Sequence, residues 1–187
     1  GFATGGDFEE AATHGLMEIV EHDAISDFLV NCILNGGKLI NTVDKTFCPP
    51  ELRDAIDHVE QVISAEIEIL MWRGKNEYST FIALPYVNQP VIGYFGASSS
   101  ICNVHAAKLS VLELGQDFIL RNECYGTYES PDSNEVSRSR THVHSTIMRF
   151  DLMEILRSNS LKPIKIEENV RDADPGKIYH ELCQKVP

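Results

Sequence analysis

The sequence predicts a mixed α/β domain with helices layered on a sheet. Three observations point there. Two long stretches, "DFEEAATHGLMEIVEHDAISDFLVNCIL" and "NVHAAKLSVLELGQDFILRNE", have the character of helices. Between them lie β-branched and aromatic runs bounded by turn residues, which read as strands. The order of helices, then strands, then helices suits two kinds of element packed around a common core.

The elements follow in order. Asp7 is placed to cap the first helix, with Glu9 and Glu10 in the first turn, where the helix dipole favours acids. The helix is expected to run to the stop signal "NGG", Asn35 to Gly37. "CPPELRDAIDHVEQVIS" starts a second helix with Pro50 near its first turn, and Ile56, Val59, Val62 and Ile63 keep helical spacing. "AEIEILMW", Ala65 to Trp72, alternates like a strand with Trp72 in the core, and "GKN" turns the chain at Gly74 to Asn76. "STFIALPYV" and "PVIGYFGAS" supply two more strands around a turn at Asn88 to Pro90. In the long helix that follows, Ala107, Val111, Leu114 and Phe118 lie near one face. "CYGTYESPDSNEVSRSRTHVHS" is polar and turn-rich, "TIMRFDLMEILRSN" is amphipathic, "LKPIKIEEN" offers a short strand and "DPGKIYHELCQK" a closing helix. The chain is read as a single domain over 1–187, with a core over 1–120, a loop over 121–145 and a helix and strand extension over 146–187.

With 187 residues, 43% hydrophobic and 24% charged, the chain can bury one sizeable core or two small ones. A formal net charge of -12 argues against nucleic acid held mainly through phosphate contacts. It leaves room for anionic ligands bridged by a cation. The five cysteines, Cys32, Cys48, Cys102, Cys124 and Cys183, are odd in number and show no CxxC spacing. Buried free thiols in a reducing cytoplasm are expected. No apolar run is long enough to span a membrane, and no signal peptide is expected. The start "GFATGGDFEEA" lacks an initiator Met and reads as a fragment or a processed chain.

The first helix carries the chemistry. A helix turns about 100° per residue, so with Glu10 as zero, Glu21 falls near 20°, His14 near 40° and Glu18 near 80°. Ala12, Leu16, Ile19 and Val20 fall roughly opposite and are expected to face the core. Like charges at this spacing repel, and no Lys or Arg occurs from Asp7 through Ile33 to neutralise them. A solvated acidic face explains the stripe. So does a site for magnesium, which takes hard oxygen ligands, commonly one or two carboxylates plus phosphate oxygens.

The same stretch resembles the YcaO family. The family pattern runs Asn-Gly-Leu-Ala-x-Gly-Asn, then Glu-Ala, then a Leu-x-Glu-x-x-Glu-Arg-Asp-Ala helix. Gly1, Ala3, Gly5, Glu10, Ala11, Gly15, Leu16, Glu18, Glu21, Asp23 and Ala24 stand at matching places. A second segment, "GYFGASSSICNVHAAKLSVLELGQ", is similar to a later one in the family, with Gly96, Ala97, Ala106, Glu113 and Gln116 matching. The likeness is readable over roughly residues 1 to 120.

The resemblance implies ATP and magnesium as cofactors. It implies activation of a peptide backbone amide by phosphorylation of its carbonyl oxygen. Attack by a neighbouring Cys, Ser or Thr then gives a thiazoline or oxazoline, and related members use external sulfide to make a thioamide. Such chemistry needs a positioned phosphoryl group and an offset for its charge. Carried over by position, Glu18 and Glu21 are the metal and nucleotide residues, and Glu10 is a third, near ribose or magnesium. Glu113 and Gln116 stand on the facing helix, Glu113 either as a ligand or as a residue that orients one. The implied partners are a precursor peptide and a partner or leader-peptide-binding subunit, with a homodimer among the allowed assemblies and neither nucleic acid nor membrane.

Several positions depart from the pattern. His22 stands where the family has Arg, Gly6 where it has Asn, and Phe118 where Arg is common. The tail "CQKVP" lacks the Pro-x-Pro-x-Pro ending of many azoline-forming members. Full-length members are about twice as long, with further ATP contacts in their N-terminal half. Two other readings therefore stand beside the enzyme: a non-catalytic YcaO-like scaffold or partner-binding subunit, and an unrelated metal-dependent hydrolase using the acidic stripe. His14 suits a role beside the ligands, held by a hydrogen bond. His142 with His144, and Arg138 with Arg140, read as surface loop residues. "SSS", Ser98 to Ser100, lacks the Walker pattern and its Lys and reads as a turn leading into the helix.

Overall fold

The computed structural model describes residues 5–35, 40–73, 78–86, 95–100, 102–124, 161–166 and 180. The first helix, α1, spans Phe8–Asn35. Asp7 Oδ1 accepts the Glu10 N–H at 2.8 Å, and Glu10 Oε2 accepts the Gly6 N–H at 2.6 Å. This reciprocal cap satisfies donors that an open helix start leaves bare. A short strand, β1 (Asn41–Val43), leads into a 3₁₀ turn over Lys45–Phe47, where Asp44 accepts the Thr46 N–H. Helix α2 spans Pro50–Ile63, begins on proline and ends at Ser64 in the left-handed region, with φ 55°.

Strands β2 (Glu66–Arg73) and β3 (Ser79–Tyr86) form an antiparallel pair along their whole length. Strand β4 (Gly96–Ser99) pairs antiparallel with β3, placing Ser99 opposite Thr80 and Ala97 opposite Ile82. Helix α3 spans Asn103–Cys124, and β5 spans Lys162–Ile164. The sheet order is β4-β3-β2-β1-β5, with β1 antiparallel to β2 and parallel to β5.

Strand alternation divides the core in two. Ile67, Ile69, Met71, Phe81 and Ala83 face α2 and α3, where Leu52, Val59, Val111 and Leu114 meet them. Leu70, Trp72, Ile82, Leu84 and Ala97 face the other way, onto Ala24, Phe28 and Cys32 of α1. The sheet thus lies between one helix and two, a layered mixed α/β fold as expected. The alternation read in Ala65 to Trp72 appears as a strand buried on both faces, because each face meets helices.

Several details differ from expectation. Val20 is buried, but Ile19 is 53% exposed, because the helix face toward the sheet centres on Val20, Ala24 and Phe28. Val62 is also exposed, at the margin of the α2 face. Ser98 and Ser99 belong to β4 rather than to a turn, paired with Phe81 and Thr80. The helix expected to give way to a loop at 121 continues to Cys124. β1 carries too short an apolar signal to be read alone, and two neighbouring strands hold it in place. The turns at Gly74 to Asn76 and Asn88 to Pro90, residues 91–94 of the third strand run, the loop from 125, the helix over 146–159 and the closing helix apart from His180 lie outside the described residues. So do Gly1, Ala3, Arg138, Arg140, His142 and His144. Cys32, Cys48 and Cys102 are free thiols, and burial pushes Cys32 up to about 12. Among the described residues, no helix is long and apolar enough to cross a membrane.

Candidate functional site

Strand β4 closes one end of the sheet and lies between α1 and α3. In an antiparallel edge strand, alternate residues turn their N–H groups away from the neighbouring strand. Ala97 and Ser99 form that outward set here, and each N–H is taken by a carboxylate. Glu113 Oε2, from α3, accepts the Ala97 N–H at 2.9 Å. Glu21 Oε2, from α1, accepts the Ser99 N–H at 3.2 Å. Two acids from helices on opposite faces of the sheet therefore meet at one edge. Residues two apart in a strand are about 7 Å apart, which sets the scale of their separation.

The approach of α3 depends on Gly96. A methyl group there would lie 2.0 Å from the Ser110 carbonyl oxygen and 2.4 Å from the Leu114 nitrogen. Only a residue without a side chain lets the helix backbone press on β4 closely enough for Glu113 to reach Ala97. At the other end of β4, the Thr80 and Ser99 hydroxyls are 2.6 Å apart and buried.

The surroundings disfavour two free carboxylates. Burial, then repulsion from Glu113 and from Glu18, raises Glu21 from 4.5 to about 7, against the pull of the Ser99 N–H. Burial also raises Glu113; the Ala97 N–H opposes it, Asp117 adds to it, and His22 eases it. Both carboxyls are thus held toward the protonated form, by burial first. Lysines pair elsewhere among the described residues, Lys45 with Glu60 and Lys108 with Glu51.

The other expected site residues take different places. Glu18 lies one turn from Glu21, with its Oε1 3.8 Å from His22 Nε2 on an exposed surface. Gln116 is exposed one turn beyond Glu113 on α3. Glu10 serves the α1 cap, and its eleven-residue separation from Glu21 is about 16 Å of helix. The structure brings Glu21, Glu113 and Glu18 into one neighbourhood and sets Glu10 at a distance from it. Among the described residues, no three His, Cys, Asp or Glu side chains form a ready cage for a metal ion. Two carboxylates, each with Oε1 turned to no described partner, still match a cation whose other ligands are phosphate oxygens and water. Asp117 was missed in the sequence, although its i,i+4 spacing from Glu113 was legible.

The chain matches the family described as YcaO cyclodehydratase, ATP- and Mg2+-binding, over residues 1–184. The chain belongs to the YcaO family. The match extends beyond residue 120, where the likeness stops being readable by eye. Two solved structures resemble this YcaO chain: the E. coli microcin synthetase McbBCD complex and the same complex with pro-MccB17 bound. Their TM-scores are 0.59 and 0.60, each at 19% identity, and each match covers 96% of this chain and 46% of the other. At that identity the likeness speaks for the fold. The YcaO chain spans a little under half the length of the chains it resembles. Comparison with curated proteins gives no match.

Proposed function

We propose that this chain supplies one wall of a magnesium-ATP site in an enzyme that activates a peptide backbone amide. The products are azoline heterocycles or a thioamide in a ribosomally made peptide. The observation that supports this most is the convergence of Glu21 and Glu113 on the β4 edge, with Glu21 raised to about 7. A divalent cation there would offset both the burial and the repulsion from Glu113 that hold a proton on Glu21. Glu21 and Glu18 are the metal residues in this reading, Glu113 holds or orients the cation from α3, and Gln116 lies toward the nucleotide. Glu10, at the far end of α1, would meet only a remote part of an extended nucleotide. When bound, magnesium-ATP supplies the phosphoryl group that activates the amide oxygen. The carboxylates of this chain bind and orient it.

The whole span 1–187 acts as a single domain in this reading, in company with a precursor peptide and a partner subunit. The E. coli complex with pro-MccB17 bound is a multi-subunit example carrying a pro-peptide. By analogy, a peptide substrate and a partner chain are the expected company here, in the cytoplasm. The chain spans a little under half of its structural neighbours, so turnover is expected to need the remaining half. ATP hydrolysis by this chain alone would contradict that dependence.

Calorimetry with magnesium and a non-hydrolysable ATP analogue tests the site in the complete protein. Glu21→Gln and Glu18→Gln should each weaken binding, and unchanged affinity in both overturns the assignment. A scaffold without catalysis is the second reading, favoured by His22 and Phe118 at positions where the family pattern has arginine. Incubation of the complete protein with ATP, magnesium and a Cys-rich peptide separates the two. Mass spectrometry would show loss of water or exchange of oxygen for sulfur only if the enzyme reading holds.

A further inference from the structure

Strand β4 has only four residues, yet two of the candidate site carboxylates, Glu21 and Glu113, hang from its backbone. Its first residue is fixed by the close approach of α3 at Gly96. Its last residue, Ser99, lies where a strand end frays, and the chain leaves the sheet at Ser100. A buried side-chain contact holds that end down. Thr80, fully buried on β3, stands directly opposite Ser99, and the two hydroxyls share a hydrogen bond of 2.6 Å on the α1 face. The same Ser99 gives its N–H to Glu21, over a longer 3.2 Å. A longer bond to a strand terminus depends more on where that terminus sits.

We propose that Thr80 is a positioning residue for the cation site: through the Ser99 hydroxyl it fixes the strand end from which Glu21 hangs, and so sets the spacing of Glu21 from Glu113. This rests on the reading of Glu21 and Glu113 as cation-binding groups. Thr80 touches neither carboxylate by any described contact and acts only through β4. Ion-binding carboxylates commonly depend on such outer partners for orientation.

The test titrates Mn2+ into the complete protein in the presence of a non-hydrolysable ATP analogue and follows the protein-bound ion by electron paramagnetic resonance. Thr80→Val keeps the shape and removes the hydroxyl. Ser99→Ala removes the other hydroxyl and keeps the N–H that Glu21 accepts. Each should weaken Mn2+ binding by about tenfold, the scale expected when an outer partner is lost. The double variant should be no weaker than either single one, because both break one contact. Thr80→Ser restores the hydroxyl and should bind within about twofold of wild type. If Thr80→Val fails to fold, Ser99→Ala and Thr80→Ser carry the comparison. Wild-type affinity in Ser99→Ala, with Glu21→Gln clearly weakened, overturns the role of Thr80 and leaves the site standing. No loss in Glu21→Gln, or no binding by the wild type, overturns the site and this proposal together.

Discussion

Gly96→Ala is the most direct test of how the fold builds the site. Replacing glycine by alanine inside a strand ordinarily favours folding by about 0.5–1 kcal/mol. Here the added methyl would lie 2.0 Å from the Ser110 oxygen and 2.4 Å from the Leu114 nitrogen, both backbone atoms of α3. Ordinary contact lies near ~3.5 Å, so the helix must withdraw by about 1 Å or more. Overpacking of this kind costs about 1–3 kcal/mol. Withdrawal also stretches the 2.9 Å bond from the Ala97 N–H to Glu113, a charged bond worth about 1.5 kcal/mol at the lower end that suits a partly exposed acid. Set against the ordinary gain, the expected net loss is about 1.5–4 kcal/mol, opposite in sign to the usual effect. Urea unfolding of wild type and variant measures it, provided the slope stays the same. A loss below about 1 kcal/mol would show that α3 does not bear on β4 as described.

Three further outcomes follow from other contacts. Phe28 of α1 is buried against the sheet and meets Trp72 edge to face at 6.0 Å, so Phe28→Ala should cost about 3–5 kcal/mol in the same assay. A cost near that of a surface change would remove α1 from the core. Glu60 Oε1 accepts both Lys45 Nζ and the Ile67 N–H at 2.8 Å. Glu60→Ala should therefore cost about 1–3 kcal/mol and Glu60→Gln clearly less, and equal losses would count against the backbone bond. Glu21, at about 7 when folded against 4.5 as its ordinary value, holds a proton that the unfolded chain has already lost between those two pH values. Its contribution is complete below about 4.5, fades as pH rises to about 7 and is flat above, so Glu21→Gln should erase that decline and make the chain more stable than wild type above pH 7. Parallel pH profiles for the two proteins would refute the assignment of the shift.

Much of this was legible in the sequence because local chemistry and tertiary structure agree. Asp7 caps α1, α1 ends at Asn35 as the "NGG" signal implies, and Pro50 opens α2. The acidic stripe was visible as well, but a helical wheel treats its four residues as equivalent. The fold does not. Glu10 is drawn into the cap by Gly6, Glu18 stays at the surface with His22, and Glu21 turns to β4. That sorting depends on where β4 passes α1, seventy-eight residues away in the chain, which no local pattern encodes. Asn41–Val43 was missed for a related reason: three residues become a strand only because β2 and β5 flank them. Ile19 was placed inward because periodicity gives an apolar arc without saying which edge of it meets the sheet.

The carboxylates at β4 also decide where the sheet stops. A bare edge strand offers its N–H groups to any passing chain, which is how folded domains aggregate. At this end Glu21 and Glu113 fill the two outward amides. At the opposite end β5 carries Lys162 and Pro163, a charge and a missing donor. Among the described residues, one end is thus sealed by proline and lysine, and the other by the two acids proposed to bind the cation. Replacing both acids with leucine would therefore remove more than a binding function. It would uncover a growth point for intermolecular strands, so loss of activity in such a protein would come with loss of solubility.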